Sequence, residues 1–131
     1  MYDSPSSSVH FDETISAVIC LWKTNCDANC YQTTMLEGMK ILLETHCKTW
    51  LIDFNDEVDK LPEDAEWFVN TFLPMTVNDS IENIFFIIRP NCQIKNEIID
   101  KRVNHYKDLF NVEIFENMEE VYTYFSKKKD Q

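Results

Sequence analysis

Three short apolar runs, each followed by a segment with helical periodicity, constrain the fold of this chain most strongly. The runs are TWLIDF at 49 to 54, IENIFFIIRP at 81 to 90 and VEIF at 112 to 115. The second is apolar on both faces, as is typical of a central parallel strand, and Pro90 should end it. Parallel strands joined by helices form right-handed crossovers, so the pattern predicts an α/β fold with helices packed on the sheet.

The N-terminal part of the chain adds a hairpin and the first helix. Residues 9 to 22 are rich in β-branched and aromatic side chains, and the polar DET within them suits a turn between two strands. From Tyr31 the apolar residues recur at helical spacing, which predicts a helix over about 30 to 46. Gly38 adjoins the apolar face of this helix, so we expect it to allow a close approach to the sheet.

Proline and capping residues mark the later helices. A second helix is predicted from Pro62 to about Leu73, with Pro74 ending or kinking it. A third is predicted over roughly 93 to 109. Its inward side chains should be Ile94, Ile98, Val103 and Tyr106. The NMEE sequence at 117 to 120 is typical of a capping box and starts the last helix. That helix should bury Met118, Val121, Tyr122 and Phe125.

These elements predict one α/β domain over residues 1–131, a length sufficient to bury a core without disulfides or metal. The expected order is ββαβαβαβα. It corresponds to a mixed, mainly parallel five-stranded sheet, with an N-terminal hairpin followed by βαβαβα, covered by about four helices.

Composition limits the partners of the protein. Twenty-three acidic residues against twelve basic ones give a formal charge of −11, and a field of that sign repels nucleic acid and anionic lipid. The longest apolar stretch, at 84 to 88, is far shorter than a membrane span, and the chain does not open with a basic segment and an apolar run. Five cysteines without a secretion signal suit a reducing interior. We therefore expect a cytoplasmic protein without nucleic acid binding or membrane insertion.

The segment WKTNCDANCYQT at 22 to 33 raises the question of a metal or redox site at Cys26 and Cys30. At about 1.5 Å per helical residue, Cys30 and His46 are roughly 24 Å apart, too far to share a zinc ion. A redox pair stays open, because a helix dipole favours a thiolate at Cys30 and Cys26 could resolve it. The favoured interpretation is two buried small side chains. It predicts that chelators and reductants leave the melting temperature unchanged.

The chain contains no recognisable catalytic or cofactor motif. Its single glycine, Gly38, lies in a predicted helix, which excludes a P-loop, a dinucleotide fingerprint and a nucleophile elbow. Residues 53 to 64 have the alternate acidic spacing of a calcium loop, but Val58 replaces the turn glycine and Asp64 replaces the final glutamate. The strand ends also lack the residues of phosphoacceptor receiver domains. We expect no cofactor, no metal and no enzyme, with catalysis by Asp53 as the weakest alternative.

Several short motifs carry a family resemblance. They are TWLID at 49 to 53, PEDAEW at 62 to 67, Pro74 after a helix, and a strand that ends in Arg89 and Pro90. With the order of elements, the chain resembles small bacterial proteins of STAS-like or SpoIIAA-like fold. It is most similar to a group with a Trp ending the second strand, here Trp22. The anti-anti-sigma branch is switched by phosphorylation of a Ser or Thr, but residues 53 to 67 contain neither.

Two functions of different classes follow. The resemblance implies a non-enzymatic regulatory module that binds a partner protein, or a second copy, through the strand ends and the second helix. The alternative is a small-molecule or lipid carrier, which needs an apolar cavity lined by aromatic residues. Ligands of open α/β sheets favour the carboxyl ends of the strands, which selects Asp53, Phe54, Asn55 and Arg89. A salt bridge that closes the sheet there is the favoured, purely structural interpretation.

Trp67 is the remaining candidate. Its position at the edge of the second helix's apolar stripe predicts partial exposure. Aromatic residues are enriched where proteins meet, and most soluble oligomers are two-fold dimers, so a homodimer through this helix is predicted. The open alternative is that the N-terminal tail or the acidic loop at 55 to 61 covers the ring.

Overall fold

A six-stranded, mostly parallel sheet organises the residues that the computed structural model describes, which are 1–60, 65–78, 81–94 and 96–129. The strands are β1 (Tyr2–Asp3), β2 (Ser7–Asp12), β3 (Ala17–Trp22), β4 (Thr49–Phe54), β5 (Asn83–Ile87) and β6 (Asn111–Phe115). Each strand pairs with the next one along the chain. The pairs from β1 to β3 are antiparallel and those from β3 to β6 are parallel. The predicted α/β class and N-terminal hairpin are confirmed.

The strand count differs from the prediction. The sequence predicted five strands, whereas β1 brings the number in the described residues to six by pairing with β2. Two residues are too few for an alternating pattern to stand out in a sequence. The turn between β2 and β3 starts after Asp12, whose carboxylate accepts a hydrogen bond from the Thr14 N–H at 2.9 Å.

Helix α1 (Ala28–Thr45) begins at a capping residue. Asp27 has an extended backbone, with φ −81° and ψ 176°, and its carboxylate accepts from the Cys30 N–H at 2.8 Å. His46 ends the helix in the left-handed conformation, with φ 55°. Cys30 and His46 therefore lie at opposite ends of α1, as the helix prediction required.

Gly38 lets α1 lie close to the sheet. A Cβ added at Gly38 would be 2.3 Å from Cη2 and 2.8 Å from Cζ3 of Trp50. Both separations are shorter than those between real side-chain atoms. Trp50 belongs to β4 and is only 1% exposed, so its ring is held by the core. The predicted close approach at Gly38 is confirmed.

The second helical segment passes through a proline. Its described parts are α2 (Ala65–Trp67), a π-helical turn (Phe68–Phe72) and α3 (Leu73–Asn78). The predicted start at Pro62 lies outside the described residues. Pro74 was predicted to end or kink this helix, and the helix continues to Asn78, so the first of these two outcomes is wrong. The Leu73 N–H donates to the Phe68 carbonyl, and this wider turn accommodates a ring that cannot make the usual α-helical bond.

Helix α4 (Asn96–Tyr106) is shorter than predicted, and its inward face is rotated. Tyr106 is buried and Val103 half-buried, as expected, but Ile98 is 38% exposed, so its predicted inward position is wrong. Arg102 is buried instead, with its guanidinium 4.0 Å from the centre of the Phe68 ring. A hydrophobicity pattern counts arginine as solvent-facing and therefore misses this cation–π contact.

Helix α5 (Met118–Lys129) is capped as the sequence predicted. The Glu120 N–H donates to the Asn117 side-chain oxygen at 2.9 Å, and the Glu120 carboxylate accepts from the Glu116 N–H at 3.0 Å. Val121 is buried, but the prediction that Tyr122 is buried is wrong. Its hydroxyl reaches Asp12 instead, a partner that helical spacing cannot indicate.

The two faces of the sheet carry separate cores, which we call the front face and the back face. The front face packs against α1, the second helical segment and α4, and its buried residues include Trp22, Trp50, Phe68, Phe86 and Tyr106. The back face packs against α5, and its buried residues are Ile15, Ala17, Ile19, Leu51, Phe85, Ile87, Phe115 and Val121. Right-handed crossovers between consecutive strands carry their helices to one face, which leaves the other for the helix that follows β6.

Candidate interaction site at the carboxyl edge

An ion pair joins β4 and β5 where both strands end. Arg89 Nη1 donates to Asp53 Oδ1 and, at 2.7 Å, to the Phe54 carbonyl. Arg89 Nη2 donates to Asp53 Oδ2 at 3.1 Å, so the contact is bidentate. The Asp53 side chain is 7% exposed and that of Arg89 is 30% exposed. The prediction that these residues share one end of the sheet is confirmed, because the carboxyl ends of parallel strands share an edge.

Electrostatics favour the charged form of Arg89. The hydrogen bond to Asp53 raises the pKa of Arg89, and this outweighs the opposing effect of burial. Asp53 alternates with Leu51 along β4 and therefore points to the back face. A buried carboxylate is costly unless a charged donor satisfies it, and Arg89 occupies both of its oxygens. Asp53 is thus engaged in the structure of the edge.

Phe54 and Asn55 follow Asp53 but have different roles. The Phe54 ring is buried in the front-face core, so its backbone carbonyl is the part that reaches Arg89. The Asn55 side chain is exposed, while the Asn55 backbone N–H donates to the Trp22 carbonyl at 2.8 Å. Of these two predicted site residues, Asn55 alone offers its side chain to a partner.

Two residues that the sequence prediction missed tie the loops of this edge together. The Asn25 side-chain oxygen accepts from the N–H groups of Asp59 and Lys60, both at 3.2 Å, and its NH₂ donates to the Asp59 carboxylate at 2.6 Å. The Gln93 side chain donates to the Asp56 carbonyl at 2.8 Å. The loops after β3, β4 and β5 therefore form one connected surface. Amide side chains in loops are common, so nothing in the sequence pattern distinguished these two.

The loop after β4 makes this surface acidic. Glu57 and Asp59 are exposed and Asp56 is half-buried. Asp56 Oδ1 is itself enclosed and has no hydrogen-bond partner among the described residues. Among all the residues that the structure describes, no group of three or more His, Cys, Asp and Glu residues is arranged to hold a metal ion. The loop is thus an acidic surface with spare acceptor capacity.

Trp67 lies apart from the ion pair. Its half-buried ring meets Tyr31 edge-on at 5.8 Å and is tilted against Phe72 at 5.6 Å. These contacts place Trp67 in the front layer, whereas Asp53 points to the back face. The predicted partial exposure is confirmed, but neighbouring rings from α1 and the π-helical turn cover part of the indole.

A small cavity lies in the front-face core. Its volume is about 20 Å³, which is room for about one water molecule. The lining residues are mainly aromatic and include Trp22, Tyr31, Phe54, Arg102 and Tyr106. Burial raises the pKa of Tyr106, so this phenol stays neutral. Larger spaces of about 410 and 270 Å³ are open grooves along α5.

The cysteines near this edge are less buried than predicted. Cys26 and Cys30 are both half-buried, which corrects the interpretation that they are two buried side chains. Burial is the main cause that raises the pKa of Cys26, to about 12. The sequence predicted that α1 starts at about residue 30, whereas Asp27 caps the helix and its first residue is Ala28, so Cys30 lies in the first turn.

Comparisons with known proteins gave no match to a family model, a curated protein or a solved structure. Among the described residues, no helix has the length and apolar character needed to cross a bilayer. The geometry of the carboxyl edge therefore carries the functional argument.

Proposed function

We propose that the protein is a non-enzymatic, STAS-like regulatory or interaction module that binds a protein partner at the carboxyl edge of its sheet. The observation that carries this proposal is the cross-linking of three loops by Asn25, Arg89 and Gln93. A surface that is ordered before binding loses little conformational entropy when a partner docks.

The charge of the loop after β4 indicates the kind of partner. Arg89 neutralises Asp53, but Glu57 and Asp59 remain exposed. Complementary charge steers association and discriminates against partners of the same sign. A basic protein surface is the partner that fits this edge.

Two observations favour binding over the alternatives. Both oxygens of Asp53 are held by Arg89, which argues against Asp53 as a general base. A carrier needs an internal apolar cavity, and the core cavity of about 20 Å³ is far below the roughly 300 Å³ of typical ligand pockets. The carrier hypothesis would therefore require one of the open grooves along α5 to deepen.

Site-specific photo-crosslinking, carried out in cells that make the protein naturally, tests the proposal. A photoreactive residue at Asn55 should give a discrete protein adduct, whereas the same residue at Lys48 should not. Lys48 is also exposed but precedes β4, at the opposite end of the strand. An adduct of twice the chain mass identifies a second copy as the partner, and light scattering at physiological salt then checks the dimer predicted through Trp67. Absence of an adduct at Asn55, or equal yield at Lys48, contradicts the proposal.

A charge-reversal pair sharpens the same experiment. Glu57→Lys should reduce the Asn55 adduct several-fold, because it removes an acid from the proposed contact surface. Glu44→Lys makes the same change at an exposed position near the end of α1 and should leave the adduct unchanged. Both variants should keep the wild-type melting temperature, since both side chains are exposed. Equal effects of the two changes would indicate that net charge matters rather than this edge.

A further inference from the structure

Strand β6 has one edge without a neighbouring strand. It is last in the sheet order, and no described strand lies beyond it. On its inner side, the Asn111 N–H donates to the Glu82 carbonyl at 2.9 Å. At the other end of the strand, the Phe115 carbonyl accepts from the Ile88 N–H at 2.8 Å. The backbone groups of Asn111 and Phe115 therefore point towards β5.

The alternation of backbone groups along β6 identifies those that point outward. In a parallel ladder, the N–H and the carbonyl of one residue face the same neighbouring strand, and the next residue faces the opposite side. Because Asn111 and Phe115 face β5, the residues that direct their N–H and carbonyl groups outward are Val112 and Ile114. Within the described residues, no strand pairs with these outward groups. Such an edge is a template for an added strand.

The side chains on the two sides of this edge differ in chemistry. Val112 packs against the front-face core, and Ile114, on the same side, is 52% exposed. Glu113 alternates with them and therefore lies on the back face, as does Phe115 of the back-face core. A segment that lies along β6 meets apolar groups in front and a carboxylate behind.

A groove continues the acidic side of the edge. The larger of the two open grooves along α5, of about 410 Å³, is lined by Phe115 at the end of β6 and by side chains of α5. Two carboxylates line it, those of Glu119 and Glu120, against one cation, Lys127. Glu113 adds a further acid on the same face. Complementary charge therefore favours lysine or arginine on the back side of a segment that binds here.

The same edge is poorly suited to a second copy of the chain. A two-fold antiparallel pair that uses Val112 and Ile114 of both copies places Glu113 directly opposite its own equivalent. Like charges in that position destabilise a sheet. The neighbouring registers need outward N–H groups from Phe110 or Glu116, and both of these are already hydrogen-bonded within the chain.

We propose that β6 binds a basic, extended segment of a partner protein as an added antiparallel strand. The backbone of this segment pairs with the outward N–H and carbonyl groups of Val112 and Ile114. Its apolar side chains lie in front beside Ile114, and its basic side chains lie behind, facing Glu113 and the groove. This surface is distinct from the loops after β3, β4 and β5, so the inference does not depend on the proposed function.

Amide hydrogen exchange followed by NMR tests the binding mode with a defined probe, the acetylated and amidated peptide Lys-Val-Lys-Val-Lys-Val-Lys. In the free protein, the Val112 and Ile114 amides should exchange quickly, whereas the Glu113 amide, which faces β5, should be protected. Saturating peptide should slow exchange at Val112 and Ile114 by about tenfold or more. A peptide with glutamate in place of lysine should leave both rates unchanged. Absence of protection by the lysine peptide, or equal protection by both peptides, overturns the proposal.

Methylated peptides test the strand pairing without any change to the protein. In the proposed register the valine N–H groups face β6, so methyl groups on the valine nitrogens should abolish protection. The lysine N–H groups face away, so methyl groups on the lysine nitrogens should leave protection in place. Equal effects of the two methylation patterns contradict an added antiparallel strand.

Protein variants with matched controls locate the contact. Ile114→Pro removes an outward N–H, which an edge strand tolerates, and should abolish peptide binding. Ile114→Ala keeps that N–H and should weaken binding several-fold at most. Glu113→Gln should also weaken binding several-fold, whereas Glu44→Gln, at an exposed position near the end of α1, should not. Circular dichroism checks the fold of each variant, and equal effects of the two glutamine changes contradict the assigned charge contact.

Light scattering of the protein alone tests the other possible occupant. A dimer that Ile114→Pro abolishes would show that a second copy pairs with β6 and would overturn the proposal. A monomer, or a dimer that this variant leaves intact, is the expected result. Crosslinking at Asn55 reports on the carboxyl edge alone, so the two proposals can fail separately.

Discussion

The front and back faces of the sheet receive neighbouring residues of the same strands, yet they are covered differently. Phe85 and Phe86 are adjacent in β5 and both are 1% exposed. Phe86 packs in the front-face core beneath the crossover helices, where Tyr106 is a neighbour. Phe85 packs on the back face against Phe115 and against Tyr124 and Phe125 of α5.

The difference follows from strand order. When consecutive parallel strands lie side by side, each right-handed crossover returns over the same face. The front face thus acquires helices that each lie between two strands of the sheet, whereas α5 follows β6, the last strand described. We infer that the front core is rigid and that the back core can adjust by movement of α5.

The largest expected effect separates the two faces directly. Phe86→Ala and Phe85→Ala remove the same group from adjacent positions, and such changes cost about 3–5 kcal/mol of unfolding free energy. Phe86→Ala should lie near the upper limit, because fixed helices cannot close the cavity. Phe85→Ala should lie near the lower limit, because α5 can move inward. Urea unfolding measures both values, and equal losses would remove the proposed difference in rigidity.

A smaller effect is expected where α1 meets the front face. Gly38→Ala should lower the unfolding free energy by about 1–3 kcal/mol, because the new methyl group overlaps the Trp50 ring. Helix propensity acts in the opposite direction by about 1 kcal/mol. In a Trp50→Leu background the same change should become neutral or stabilising. Lys40→Ala, at an exposed position of α1, is the control, and a stabilising Gly38→Ala in the wild-type background would show that the contact can relax.

The smallest effect concerns the attachment of α5 to the back face. The Tyr122 hydroxyl donates to the Asp12 carboxylate at 2.6 Å, so Tyr122→Phe should cost about 0.5 kcal/mol at this exposed site. The hydrogen bond to Asp12 raises the pKa of Tyr122 above its usual value. Its contribution is therefore present below about pH 10 and is lost as the pH rises through the raised pKa.

Comparison of the two proteins across this pH range checks the sign of the effect. The stability difference between wild type and Tyr122→Phe should shrink towards high pH, and ultraviolet titration should lose one late-titrating phenol in the variant. A difference that grows with pH would mean that the hydroxyl does not donate to Asp12.

The sequence predicted those features that depend on strand direction and helical spacing. Asp53 and Arg89 could be assigned to one edge because parallel strands end together, and Gly38 stood out because its helix was otherwise well formed. The π-helical turn before Pro74 was not predictable, because a proline can end, kink or widen a helix and the sequence pattern does not select among these outcomes. The start of α1 was predicted two residues late, because it depends on the capping residue, Asp27, which fixes where the first turn begins.

Strand order also determines the sequence in which the sheet can assemble while the chain is synthesised on the ribosome. Because every strand pairs with its predecessor in the chain, the sheet can grow by one strand as each segment emerges, without waiting for distant partners. The front face is covered progressively, since each crossover helix is made before the next strand. On the back face, however, the side chains of Leu51 and Phe85 are covered only when α5, the last helix described, has been made. The nascent chain therefore carries an exposed apolar surface until α5 has been made.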